Sequence, residues 1–123
     1  MRILHLTDHY PPVMGGIEAH VTGLAHRQAL SGASVTVLTS TPRTAEGETS
    51  ADTGPVQVTR ARSLMEGLRI QVEEFDLVHA HVSVVAPFTA PLVGVLSRRG
   101  VPTVVTVHSL WSGMGPVPTW PRP

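Results

Sequence analysis

Three observations predict an α/β fold built on a parallel sheet flanked by helices. Apolar, β-branched runs at residues 3–7, 35–39, 56–60, 76–81 and 101–108 alternate with stretches whose apolar residues recur at helical spacing. The last run, Val-Pro-Thr-Val-Val-Thr-Val-His, is almost wholly apolar, as expected of a strand covered on both faces. The chain has 123 residues, 41% hydrophobic and 15% charged, which is enough for one domain with a sizeable core. Strand–helix alternation with right-handed crossovers then gives a Rossmann-like sheet of order 3-2-1-4-5.

Each element has its own signal. The first strand, residues 3–7, leads through Pro11, Pro12, Gly15 and Gly16 into a helix with Ile17, Val21, Leu24 and Ala25 on one face, which stops at Gly32. The second strand, 35–39, precedes a stretch of Thr, Ser, Glu, Pro and Gly over 40–54 that reads as a solvated loop. The third strand, 56–60, is followed by a helix expected over 63–74, with Leu64, Leu68 and Val72 on one face and Ser63 and Glu66 at capping-box spacing. The fourth strand, 76–81, ends in two histidines. The next helix is expected to begin near Thr89 as its cap, with Pro91 in the first turn, and to end at Gly100. The fifth strand ends at His108, so the expected domain spans 1–108, followed by an irregular tail over 109–123 with Trp111 and Trp120.

Composition narrows the function. Nine arginines balance nine acidic residues, and a neutral chain lacks the basic surface that nucleic acid requires. There is no cysteine, which excludes disulfides and thiolate metal sites and permits a reducing compartment. The apolar run before Asp8 is too short for a signal peptide, and the uncharged stretch from 82 to 96 is both short and broken by Pro87 and Pro91. The expected location is therefore cytoplasmic, with attachment to the inner face of a membrane left open and no transmembrane segment.

The sheet order reverses between the first and fourth strands, and ligands bind in the crevice outside the carboxyl ends of strands at such a point. The loops after strands one, four and five emerge there and carry His9, Gly15, Gly16, His81 and His108. Gly15 and Gly16 fall at a helix N-terminus, where free N–H groups and the helix dipole favour an anion, although two glycines also suit an ordinary tight turn. Neither the dinucleotide fingerprint nor a P-loop is present, and the chain has no lysine. His79 and His81, two apart on a strand, point to one face and could share a metal with His108, but no acidic residue accompanies them and no metal is expected. His5 and His79 read as hydrogen-bonded structural histidines, and His20 as a packing residue.

The motifs Pro-Pro-x-x-Gly-Gly-Ile-Glu-x-His-Val at 11–21, Asp-Leu-Val-His-Ala-His at 76–81 and Val-Val-Thr-Val-His at 104–108 together resemble the N-terminal domain of family-4 glycosyltransferases, one half of a GT-B fold of two facing Rossmann-like lobes. The resemblance implies retaining, metal-independent transfer of a sugar from a nucleotide-diphosphate donor, without a cofactor. It implies donor diphosphate binding at Gly15 and Gly16 and a place near the transferred sugar for His108. His9, His81 and Glu18 are the candidate acceptor contacts, the acceptor being a sugar, a polyol phosphate or a lipid phosphate.

The family's second, donor-binding lobe with its Glu-x7-Glu motif is not among these residues. Glu66 and Glu74 have that spacing by chance, in the wrong lobe. The expectation is a lobe with little turnover by itself, because a cleft needs two walls to exclude water and position substrates. The rival is a non-catalytic module that binds a sugar, a phosphate or a partner lobe.

Overall fold

The computed structural model describes residues 1–13, 15–43 and 54–108. The expected tail at 109–123 and most of the expected loop at 40–54 lie outside the described residues. The strands are β1 (Arg2–Thr7), β2 (Ser34–Thr39), β3 (Gln57–Arg60), β4 (Leu77–Val82) and β5 (Thr103–Val107). The helices are α1 (Gly16–Leu30), α2 (Leu64–Gly67) and α3 (Thr89–Leu96). All pairings are parallel and the order is β3-β2-β1-β4-β5, as the alternation requires.

Alternation along the strands divides the interior into two layers. Leu4 and Leu6 of β1, Leu38 of β2, and Val78 and Ala80 of β4 join Phe88, Leu92 and Leu96 around α3 in one apolar cluster. On the opposite face Val35 and Val37 join Val21 and Ala25 of α1 and Val56. There β1 and β4 contribute His5 and His81, both buried, where aliphatic side chains would otherwise stand. The α1 side of the sheet is therefore oily over β2 and imidazole-lined over β1 and β4.

Three local expectations are corrected. The helix over 63–74 is a four-residue α2, followed after a break by a separate 3-10 turn at Val72–Glu74. Leu64, Leu68, Val72 and Ile70 still reach the core cluster, so the burial that the periodicity encodes is met without a continuous helix. Gly67 is the pinch point, since a Cβ there would lie 2.9 Å from Phe88 Cζ. The capping expectation holds in one direction: Glu66 N donates to Ser63 Oγ at 3.2 Å, while the Glu66 carboxylate turns to Arg62 at 3.4 Å.

The second correction concerns α3. Its N-terminus is not capped by Thr89, whose hydroxyl is buried and makes no hydrogen bond among the described residues. Asp8, just past β1, reaches across instead and accepts from Phe88 N and Thr89 N. The third concerns β5, which is an edge strand: Val104, Val105 and Val107 are 47%, 50% and 65% exposed, so among the described residues it is not covered on both faces.

Candidate functional site

Parallel strands place all five carboxyl ends at one rim, and the first loop is fastened there by the strands beside it. Thr41, after β2, donates to Asp8 O at 2.8 Å and accepts from Tyr10 N at 3.1 Å. Arg60, at the end of β3, donates to Thr41 O at 2.9 Å and Pro11 O at 2.7 Å. Thr7 Oγ1 donates to His9 O at 2.9 Å. A loop that could have wandered is thereby held by side chains from β1, β2 and β3.

At the switch point between β1 and β4 lies a cavity of about 510 Å³, bordered by Asp8, His9 and Ser40 on one side and Ser83, Val84 and Pro87 on the other. Ser40 also borders a second cavity of about 500 Å³, with Arg43, Arg60 and Arg62 around it.

The two glycines of the first loop differ. A Cβ on Gly15 would lie 2.6 Å from Glu18 Oε2, so the glycine makes room for that carboxylate. A Cβ on Gly16 would meet no atom within 4 Å, so the first residue of α1 faces open space. No side chain caps this end of α1, and its first N–H groups have no partner within the helix. Glu18 is buried, with Oε1 3.6 Å from His9 Nδ1 and Oε2 without a hydrogen-bond partner among the described residues. Its place in the first turn suits the helix dipole.

On the α1 face four side chains form a row that crosses the sheet. Gln28 Oε1 of α1 is 2.7 Å from His5 Nε2, His5 Nδ1 is 2.9 Å from His81 Nε2, and His81 Nδ1 is 2.9 Å from His108 Nε2. His79 stacks on His81 with ring centroids 4.2 Å apart, and its Nε2 is 2.6 Å from Thr106 Oγ1. His20, exposed on α1, meets the His108 ring edge-on, with ring centroids 5.0 Å apart.

Burial lowers the pKa of His81 to about 2 and that of His5 to about 4, with repulsion from neighbouring imidazoles adding to the first. Gln28 partly offsets the second. His79 and His108 are lowered too, chiefly by burial and then by His20. The row is thus neutral at pH 7 and acts through hydrogen bonds rather than charge.

The predicted site residues divide between these features. His9 borders the first cavity and faces Glu18, and Gly16 stands at the open end of α1. His108 is half-buried at the rim, its backbone N–H donating to Val82 O at 2.8 Å. His81 is 2% exposed with both nitrogens engaged, so it touches the rim through His108.

Sequence reasoning missed Gln28, Asp8 and Thr41. It read His5 and His79 as hydrogen-bonded structural histidines, and both are hydrogen-bonded, but it did not name their partners; the β1–β4 register sets His5 beside His79 and Thr7 beside His81. Two three-histidine groups, His5 with His79 and His81, and His20 with His81 and His108, hold nitrogens within 4.8 Å of one another. Either would have to break the row to close on a metal, because the facing nitrogens of His5, His81 and His108 are engaged with each other.

A family model described as Glycosyltransferase Family 4 matches residues 14–123, a span that includes Gly15, Gly16, Gln28, His81 and His108 and begins after His5 and His9. No match was found among curated proteins or among solved structures.

Proposed function

The chain belongs to glycosyltransferase family 4, and from that premise we propose that it is the acceptor-side lobe of a sugar transferase that uses a nucleotide-diphosphate donor with retention of configuration. The observation that carries this reading is the open N-terminus of α1 at Gly16, standing at the same rim as His108. Leaving-group charge develops on the diphosphate, and uncapped amides at the positive end of a helix offset it without reorganising. Gly16 is the residue at which a diphosphate approaches, and Gly15 serves the packing of Glu18.

His108 hydrogen-bonds the transferred sugar or the acceptor hydroxyl. His81 acts behind it rather than on the acceptor, which leaves His9 as the direct acceptor contact beside the first cavity. The neighbouring cavity, with Arg43 and Arg62 at its border, favours an anionic acceptor such as a polyol phosphate or lipid phosphate over a neutral sugar. Among the described residues no helix is long and apolar enough to cross a membrane. A lipid-phosphate acceptor would therefore be met at a membrane surface.

Turnover needs a second wall across the rim, so this chain by itself transfers little. The test follows release of nucleoside diphosphate by the chain alone and by the chain joined to a donor-binding lobe, with neutral and phosphorylated acceptors. Release only in the joined protein, lost in His108→Ala, is expected. No release in either form favours a binding module.

A further inference from the structure

We propose that Gln28 is a positioning residue that fixes which nitrogen of His108 carries the proton, so that His108 offers a hydroxyl-bearing ligand a bare lone pair. This rests on the reading that His108 faces the sugar or acceptor, and it adds what His108 can recognise there.

A neutral imidazole has one N–H and one lone pair. In a row in which each ring bonds the next, every N–H must therefore point the same way. Gln28 Oε1, an acceptor, stands 2.7 Å from His5 Nε2, which places the His5 proton on Nε2. His5 Nδ1 is then an acceptor, so the 2.9 Å contact with His81 is a donation from His81 Nε2. By the same step His108 Nε2 donates to His81 Nδ1 across 2.9 Å. The proton of His108 is committed inward. Its Nδ1, which takes no hydrogen bond among the described residues, is left as a lone pair.

An amide at position 28 turned to present its nitrogen would reverse all three bonds and leave an N–H at that outer nitrogen. The amide of Gln28 therefore selects between two proton orders. It cannot itself accept a proton at neutral pH, so the row ends blind and conducts nothing. The depressed basicity of His5 and His81 keeps the rings neutral, which is the condition under which the order holds.

A lone pair at His108 Nδ1 binds a donor, such as a sugar hydroxyl, and repels a phosphate oxygen, which is acceptor-only. Within one cleft His108 and the end of α1 would thus sort the two halves of a sugar phosphate by hydrogen-bond sense.

Long-range ¹H–¹⁵N correlation of the histidine rings in the 123-residue chain, near neutral pH, reads each tautomer directly. The wild type is expected to show His5, His81 and His108 all protonated at Nε2. Gln28→Met should bring the two nitrogen shifts of His108 towards each other as the orders mix, and Gln28→Glu, which keeps an acceptor, should leave them apart. His108 protonated at Nδ1 in the wild type overturns the proposal before any variant is made. So does a His108 pattern unchanged in a folded Gln28→Met. These readouts need no transfer activity, so the tautomer assignment can fail while the transferase reading stands, and the reverse.

Discussion

Asp8 caps α3 at Thr89: its Oδ1 accepts the Thr89 N–H at 2.9 Å, while Oδ2 accepts that of Phe88 at 2.9 Å, across about eighty residues of sequence. The carboxylate thereby satisfies two of the orphan donors at a helix start and opposes the helix dipole. Asp8→Ala should lower the unfolding free energy by about 1–2 kcal/mol and Asp8→Asn by less. Urea denaturation checks this, and an unchanged midpoint for Asp8→Ala would show that the cap contributes nothing. Because Asp8 also borders the 510 Å³ cavity, acceptor binding in the joined enzyme should weaken in the same order.

The two glycines of the first loop make opposite predictions. Gly16→Val should leave the fold's stability within about 1 kcal/mol, since its Cβ enters open space, yet block the close approach of a diphosphate. Gly15→Val should disturb the protein itself by displacing the Glu18 carboxylate. Nucleoside-diphosphate affinity by calorimetry on the joined enzyme, beside thermal melting of the chain, separates the two. Retained affinity in Gly16→Val would make the first loop a turn and nothing more.

Stability should fall as the solution is acidified below about pH 6.5. His5 and His81 are held neutral in the folded chain, at about 4 and about 2, whereas in the unfolded chain they regain ordinary basicity. Between those values the unfolded state binds the extra protons. The contribution of neutral burial is therefore whole above about 6.5 and is lost as pH drops from there towards the folded values, at about 1.4 kcal/mol per pH unit for each proton. Denaturation midpoints at neutral and mildly acidic pH, at fixed ionic strength, test it. His81→Gln should show a shallower slope than the wild type.

Gly67→Ala should destabilise by about 1–3 kcal/mol, because the added methyl meets Phe88 Cζ at 2.9 Å and Cε1 at 3.0 Å in a closed cluster. Helix propensity, which favours alanine, works against that loss. Phe88→Leu in the same background should recover part of it, and a double-mutant cycle with no coupling would rule out this contact as the cause.

The strands were legible because each is a short run rich in apolar or β-branched residues set between helical or loop stretches, and strand–helix alternation then places β2, β1, β4 and β5 side by side, although the same composition gave no sign that β5 is an exposed edge. The helix expected through Val72 was not, because Leu64, Leu68 and Val72 repeat at helical spacing while Gly67 and the Phe88 ring dictate the local path. The cap on α3 could not be read at all: nothing near Thr89 in the chain names Asp8. Of the site, the loops that meet at the rim were foreseeable from topology. The row was not, since Gln28, His5, His81 and His108 come from four places and only register brings them into line.

That row also limits how the interior can change. Replace His5 by an aliphatic residue and Gln28 and His81 each lose a partner, with one polar atom stranded behind the helix on either side of the gap. The four side chains behave like the stones of an arch: viable substitutions come as a matched set, and a lone exchange at one position weakens the others more than its own volume would suggest.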